Sequence, residues 1–450
     1  MKRSKREVIQ LSDHFSYGRL VRFTLPTIGM MIFTSIYGVV DGYFVSNYAG
    51  KTPFAAVNLI FPLLMILSTV GFMFGTGGSA IVAKSFGLGD PKGARESFSL
   101  FVYISIGLGV VFTVLGIAFL RPIAALLGAE GEMLECAVVY GRIILLALPF
   151  NILQFLFQSF FVTAEKPQLG FMVTLSAGVT NMVLDAVLVI LLPTEYKLIG
   201  AAIATAMSQV VGGAVPLIYF SSHNSSLLRL GRTKFRRNVV LKACANGSSE
   251  FMSNVSMNLV GMLYNIQLLK YAGENGVAAY GVMMYVSFIF AATFIGYSIG
   301  TAPIFGFHDG AGNLGELRSL LKKSLILTGV LGLSMVLFGE LLTVPLSALF
   351  VSYDSELMDL TVSGFRIFVL SFPFMGYAIF ASGFFTALND GLTSALISFL
   401  RTLVFQVAAV LLLPLLWDIN GVWASIIAAE LMAVVFSALF MILKRKKYGC

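Results

Sequence analysis

Twelve long apolar segments, separated by short polar stretches, constrain the fold of this 450-residue chain more than any other feature. A helix needs about 20 mostly apolar residues to cross the hydrocarbon core of a bilayer. Each segment reaches that length, and only 12% of all residues are charged. We predict spans at residues 22–47, 54–86, 97–120, 136–162, 168–193, 198–221, 242–271, 277–307, 321–348, 361–387, 391–416 and 421–443.

A transmembrane β-barrel is the other structure that can satisfy its backbone inside lipid. Its strands alternate apolar and polar residues over about 10 positions. Residues 104–119 and 325–338 are almost wholly apolar, without alternation, and too long for such strands. The sequence therefore predicts an all-α polytopic membrane protein with twelve transmembrane helices.

Lys and Arg concentrate in alternate loops, whereas the loops between them are mainly acidic. The basic stretches include residues 1–22, 84–95, 229–242, 318–323 and 444–447. Basic loops stay in the cytoplasm, so we expect both termini on the cytoplasmic side of the cell (inner) membrane. The net charge of +8 then follows from topology, and no nucleic-acid partner is expected.

The chain contains an internal repeat at an offset of 223 residues, without gaps across about 45 positions. The matched pairs include Gly77 with Gly300, Gly87 with Gly310, and Arg95 with Arg318. A repeat of six spans preserves orientation, so the two six-helix bundles should be related by a pseudo-two-fold axis along the membrane normal. We predict an N-terminal lobe (1–221), a cytoplasmic linker (222–241) and a C-terminal lobe (242–450) with a short basic tail.

Two carboxylates lie deep in predicted spans of the N-terminal lobe, Asp41 in the first and Asp185 in the fifth. An ionisable group at the centre of a membrane helix costs roughly 2.5–3.5 kcal/mol, so it indicates a functional site unless it only fixes packing. The pair can hold a proton. With Asn181, one turn before Asp185, it can alternatively supply the oxygen ligands that Na⁺ requires. The sequence leaves both ions open.

The repeat mates of these two carboxylates are neutral, Tyr264 and Gln406. Glu250 and Glu430 remain in the C-terminal lobe as a second ion site or a counter-charge for a cationic substrate. Pro26 is expected to bend the first span, either as a moving gate or as a static kink. With Tyr37, the many Phe and Met residues predict an adaptable cavity for hydrophobic cations, to which we also assign Tyr264, Gln406 and Glu430.

No enzyme signature accompanies these features. The three cysteines show no metal-binding or redox spacing, and the chain contains neither a GxSxG nucleophile motif nor a P-loop lysine. The sequence therefore predicts a transporter, with no cofactor other than its coupling ion.

Several motifs together resemble the multidrug and toxin extrusion (MATE) family across nearly the whole chain. They are Pro26 with Asp41-Gly42, residues 77–80 leading into 87–95, Asn181-x-x-x-Asp185, and residues 200–205. The resemblance implies export of cationic or amphipathic drugs in exchange for H⁺ or Na⁺ by alternating access. It also implies a coupling site at Asp41, Asn181 and Asp185, with Thr205 as a neighbour. We expect small-molecule substrates, a lipid environment and a monomer.

A lipid-linked oligosaccharide flippase of the same superfamily is the alternative function. Such flippases commonly carry several Arg or Lys residues in the central cavity, where a pyrophosphate group binds. The internal charges of this chain look mainly acidic, which favours a cationic substrate.

Overall fold

The computed structural model describes residues 9–352 and 354–448, and all regular secondary structure in those residues is helical. Helices are the expected solution because lipid offers no partner for the backbone N–H and C=O groups, which must be satisfied within each segment. The predicted fold class, an all-α multi-pass membrane protein, is confirmed.

Six α-helices form the N-terminal lobe and seven α-helices form the C-terminal lobe in the described residues. The first six are α1 (Tyr17–Phe44), α2 (Lys51–Gly87), α3 (Pro91–Leu126), α4 (Gly131–Thr163), α5 (Pro167–Leu184) and α6 (Lys197–Ser221). The others are α7 (Arg237–Gly310), α8 (Leu314–Val351), α9 (Ser355–Val369), α10 (Phe372–Ala387), α11 (Gly391–Phe399), α12 (Phe405–Leu412) and α13 (Pro414–Tyr448).

Helix α7 provides two spans rather than one. It has 74 residues and is interrupted at Gly273, whose backbone (φ 59°, ψ −151°) is not helical. Glycine adopts this left-handed conformation without the steric penalty of a Cβ atom. In the described residues ten helices are long and apolar enough to cross a membrane, or eleven with the bent pair α9 and α10 as a further span. Dividing α7 at Gly273 gives the predicted twelve.

The predicted span over 361–387 is bent inside the bilayer segment. Helices α9 and α10 meet there at an angle of 48°. Pro373 occupies the first turn of α10 and has no N–H to donate to the preceding turn. The tenth span is therefore a broken helix.

The two lobes cross closely where α2 packs against α7. A Cβ atom added to Gly87 would collide with the backbone oxygen of Phe307, and one added to Gly310 would collide with that of Lys84. Phe307 and Gly310 each lie 223 residues after Lys84 and Gly87. The same contact is thus made twice, once from each repeat, as a pseudo-two-fold axis between the lobes requires.

One end of the bundle, here named the terminal face, carries the residues that precede α1. There Leu11 donates its backbone N–H to Glu165 Oε1 at 2.6 Å, between α4 and α5. Lys84 Nζ donates to Asp309 Oδ2 at 2.8 Å, which joins α2 to the end of α7. The terminal face is therefore a place where both lobes and the N-terminal segment meet.

The linker between the lobes lies along α3 at the same face. It is shorter than the predicted 222–241, because α7 already begins at Arg237. Arg95 Nε donates to the carbonyl of Leu227 at 2.9 Å, and the Tyr103 hydroxyl donates to that of Gly231 at 3.1 Å. These bonds hold the linker against the N-terminal lobe.

Candidate functional site

The four residues predicted as a coupling site lie together in the N-terminal lobe, and we call them the N-lobe acidic cluster: Asp41, Asn181, Asp185 and Thr205. Thr205 Oγ1 donates to Asp41 Oδ1 at 2.9 Å, and Asn181 Nδ2 approaches the same oxygen at 3.5 Å. Asp185 is close enough to Asp41 for their charges to interact. Helices α1, α5 and α6, with Asp185 directly after α5, thus bring two carboxylates, an amide and a hydroxyl to one place.

The cluster has more acceptors than donors. Asp185 is fully buried and Asn181 is 1% exposed. Within the described part of the chain, neither carboxylate oxygen of Asp185 nor the Oδ1 of Asn181 has a hydrogen-bond partner. Buried polar atoms nearly always have one. Three free oxygen acceptors beside a second carboxylate therefore suit a proton or a hard cation such as Na⁺.

Stretches of π-helix adjoin the charged residues inside the spans. Val45–Ala49 follows α1, four residues beyond Asp41, and Asp185–Val189 follows α5 and begins with Asp185 itself. A third, Leu400–Val404, lies between α11 and α12. Such segments are rare and occur frequently at functional sites. The sequence carried no signal for them.

Two tyrosines border the cluster. Tyr37, one turn before Asp41 on α1, accepts a hydrogen bond from Gln154 Nε2 at 3.3 Å. Tyr140 on α4 is 3% exposed and lies within electrostatic reach of both Asp41 and Asp185. Sequence reasoning missed Tyr140, because one tyrosine in an apolar helix is ordinarily a packing residue.

Pro26 lies on α1 but away from this cluster. The 15 residues that separate it from Asp41 correspond to about 22 Å along a helix axis. It is not among the residues that line the cavity described next. Its role in gating stays a prediction.

A cavity of about 250 Å³ lies in the C-terminal lobe. Its wall is mostly apolar, and Met31 of α1 and Phe72 of α2 reach it from the other lobe. Three residues predicted for the substrate cavity line it, namely Tyr264, Gln406 and Glu430. Tyr37, also predicted there, lies at the N-lobe acidic cluster instead.

The repeat mates of the two N-lobe carboxylates also meet each other. The Tyr264 hydroxyl donates to Gln406 Oε1 at 2.9 Å, and its ring stacks on Tyr280 with centroids 5.2 Å apart. Equivalent positions in the two lobes thus form an acidic cluster in one and a neutral hydrogen bond in the other. This neutral pair has no charge with which to hold an ion.

Arg401 is the cavity residue that sequence reasoning missed. Its Nε lies 3.0 and 2.8 Å from the two carboxylate oxygens of Glu430. Glu250 lines the same cavity. The signal was available, since Arg401 is an arginine inside the predicted span 391–416. The cavity thus holds one arginine beside two acids, and its charged groups remain mainly acidic.

Known proteins resemble this chain over nearly its whole length. The MatE family model matches residues 26–187 and 251–411, one stretch in each lobe. The multidrug export protein MepA of Staphylococcus haemolyticus (strain JCSC1435) is 26% identical over 430 residues, which cover 94% of this chain and 92% of that protein. MepA of Staphylococcus aureus (strain MRSA252) is 23% identical over 429 residues, covering 95% and 94%.

A solved structure has the same fold. It is described as the outward-facing conformation of a multidrug resistance MATE family transporter of the MOP superfamily. It superposes with a TM-score of 0.92 at 22% identity, over 98% of this chain and 99% of that one. Because the family model covers most of the sequence and both lobes, this chain belongs to the multidrug and toxin extrusion (MATE) family.

Proposed function

We propose that this chain is a secondary active antiporter that exports cationic or amphipathic small molecules in exchange for H⁺ or Na⁺. The observation that carries the coupling step is the N-lobe acidic cluster. Its free acceptor atoms lie on Asp185 and Asn181, inside a membrane-embedded lobe. A buried carboxylate without a donor is costly unless it binds a proton or a cation.

Either ion satisfies this cluster. A proton that binds to one carboxyl group makes that group a hydrogen-bond donor. The neighbouring carboxylate can accept this hydrogen bond. Sodium instead needs oxygen ligands alone, and Asp41, Asn181 and Asp185 supply them. When the exported molecule carries no net charge, moving one positive charge inward down a potential of about 100 mV releases roughly 2.3 kcal/mol, enough to concentrate that molecule tens-fold. A monovalent cation exchanged one for one moves no net charge and is driven by the concentration gradient of the ion.

The C-terminal cavity is our candidate for the substrate site. Methionine and aromatic side chains such as Met257, Met284 and Phe288 line it and can adapt to differently shaped molecules. Ion and substrate would then bind in different lobes and be coupled by alternating access. We place the terminal face in the cytoplasm, and we propose that a single copy acts without a cofactor.

A lipid-linked oligosaccharide flippase is the less favoured alternative. The curated relatives described above are named multidrug export proteins. The arginine found in the cavity is paired with Glu430, so it does not form the excess of positive charge that a pyrophosphate group would need.

The proposal is tested by ethidium export from vesicles that contain the full chain, with an imposed pH or Na⁺ gradient as the only energy source. We expect the wild type to export under one gradient, which identifies the ion. Asp41→Asn and Asp185→Asn should each lower the rate at least about tenfold, since each removes one charge from the ion site. Glu195→Gln, an exposed carboxylate outside the cluster, is the control for loss of negative charge.

Two results would contradict parts of this proposal. Variants that export as fast as the wild type, at equal abundance, would show that the cluster does not couple the ion. A wild type that exports no cation under either gradient would argue against antiport and for the flippase.

A further inference from the structure

Arg401 presents more hydrogen-bond donors to the C-terminal cavity than its ion pair uses. The guanidinium group carries five N–H donors in a planar fork. Both contacts with Glu430 come from the single Nε atom. The described part of the chain offers no hydrogen-bond acceptor to the two terminal nitrogens of Arg401. These two nitrogens are not fully buried. The side chain is 15% exposed and lines the cavity.

The free edge of this fork suits a carboxylate. Two parallel N–H donors match the two oxygens of a carboxylate, which makes arginine the preferred residue for bidentate recognition. Glu430 is 3% exposed and holds the Nε side of the group, so the guanidinium plane is already oriented. A ligand would meet a preorganised donor pair rather than a mobile side chain.

A second charge of opposite sign faces the same space. Glu250 lines the cavity, and it is near enough to Arg401 to interact with its charge. No hydrogen-bond donor from the described residues reaches its carboxylate, which is open to the cavity. The cavity therefore combines an anion-binding edge, a cation-binding carboxylate and apolar walls.

The charges decide which ligand completes this arrangement. Arg401 and Glu430 neutralise each other, so the ionised form of Glu250 adds an unpaired negative charge to the cavity. A simple organic cation satisfies Glu250 but leaves the donor edge of Arg401 without an acceptor. A molecule with both an amine and a carboxylate satisfies both groups.

We propose that the C-terminal cavity binds amphipathic zwitterions, with the positive group at Glu250 and the carboxylate on the terminal nitrogens of Arg401. Their apolar body packs against Met257, Met284 and Phe288, which line the same cavity. The inference rests on the proposed export function and narrows its substrate class. It makes Arg401 the residue that distinguishes zwitterions from simple cations.

A matched pair of dyes tests this inference in vesicles with the full chain. One is a cationic xanthene dye with a free carboxylate, and the other is its methyl ester. The measurement is the ratio of the KM for export of the acid to that of the ester. The variant replaces both members of the ion pair, Arg401→Gln with Glu430→Gln, so that no buried charge is left unpaired.

In this double variant we expect the KM ratio to rise about tenfold, since a hydrogen-bonded charge pair is lost for the acid alone. Arg401→Lys keeps the ion pair but removes the fork, and should raise the ratio several-fold, which gives a second test if the double variant folds poorly. Arg121→Gln, which removes an arginine outside the cavity, should leave the ratio unchanged.

The outcomes separate this inference from the broader function. An unchanged ratio in both Arg401 variants would mean that the arginine only neutralises Glu430, and it would overturn the inference. If the wild type exported the ester but not the acid, the inference would also be overturned. Export of the ester would still support the proposed antiporter function. Export of neither dye would count against the proposed function itself.

Discussion

Asp185 and Glu430 are both buried carboxylates inside the bundle, but their surroundings are electrostatically opposite. Glu430 pairs with Arg401, whereas no donor in the described residues reaches either oxygen of Asp185. A carboxylate already neutralised by a guanidinium group gains little from an added cation, because the existing pair must first be broken. The neighbours of each acid therefore favour Asp185 over Glu430 as the ion-binding residue.

Asp390 shows a third arrangement, at the terminal face. It lies between α10 and α11 and accepts hydrogen bonds from Lys444 Nζ at 2.6 Å and from the Tyr448 hydroxyl at 2.7 Å. Burial raises the pKa of Asp390, but these bonds and a contact with Thr393 outweigh it, so the pKa lies below its usual 3.8. A group whose pKa is lower in the folded than in the unfolded protein stabilises the fold at pH values above the unfolded pKa. This stabilisation is lost as the pH falls through the folded-state pKa.

We expect Asp390→Asn to lower the free energy of unfolding by about 1–3 kcal/mol at neutral pH, as for the loss of a charge-assisted hydrogen bond. Wild type and variant should converge as the pH falls below about 3.9, the unfolded pKa of aspartate. Thermal unfolding in detergent across this pH range measures the difference. Asparagine remains a good helix N-cap, so the cap of α11 is kept. If the difference in the free energy of unfolding between wild type and variant stayed the same in acid, the charge of Asp390 would be excluded as its cause.

The site residues divide by how visible they were in the sequence. Asp41 and Asp185 stood out because a carboxylate in an apolar span is costly, and Asn181 followed from helical spacing. Tyr140 did not, because its significance depends on partners from other helices. Arg401 is also an ionisable residue in an apolar span, but its pairing could not be read from the sequence. Arg401 forms its ion pair with Glu430, which lies 29 residues later in the chain. A single sequence does not show which helices are neighbours.

At the scale of helices, the spans followed from hydropathy but their interruptions did not. Pro149 and Pro373 are repeat mates. Helix α4 continues through Pro149, whereas α9 and α10 are separate helices that meet just before Pro373. A proline permits a break, and packing in each lobe decides whether the helix separates there. The π segments escaped prediction for the same reason.

The close crossing of α2 and α7 leads to a prediction about Gly87. An added Cβ would collide with the backbone of Phe307, so the two helices would have to move apart. We expect Gly87→Ala to destabilise the protein by about 1–3 kcal/mol, the usual cost of overpacking. Gly107→Ala in α3 is the matched control, since its Cβ would meet nothing within 4 Å.

Thermal unfolding of the two purified variants in one detergent distinguishes them. The Tm of Gly87→Ala should fall by several degrees, and that of Gly107→Ala should stay near the wild type. Equal melting of both variants would show that the glycine contact is not needed to join the lobes.

At the scale of the whole molecule, the terminal face joins the lobes through both apolar and charged contacts. Phe15 is fully buried and Leu11 is 1% exposed, in a cluster that also contains Phe305 and Leu317 of the C-terminal lobe. The charged contacts are that of His14 with Glu316 at 2.6 Å and the ion pair of Lys84 with Asp309 at 2.8 Å. The proposed alternating access would require these contacts to open, and their strength would then help to set the balance between the two states.

Loss of the Lys84–Asp309 ion pair should shift that balance towards molecules open at the terminal face. The pair is partly exposed, so we expect roughly 0.5–1 kcal/mol, which is a two- to fivefold larger open population in Lys84→Gln. Spin labels at Lys92 and Gly315, exposed repeat mates on this face, report the distance between the lobes. Native cysteines would first be replaced, because Cys136 and Cys244 are free.

Two further variants make this measurement specific. The exchanged pair, Lys84→Asp with Asp309→Lys, should return the distance distribution to that of the wild type. Arg121→Gln breaks an exposed ion pair with Glu135 within the N-terminal lobe and should leave the distribution unchanged. If Lys84→Gln also leaves it unchanged, the apolar cluster around Phe15 holds the lobes together without the ion pair, because burial of apolar surface then outweighs a partly solvated charge contact.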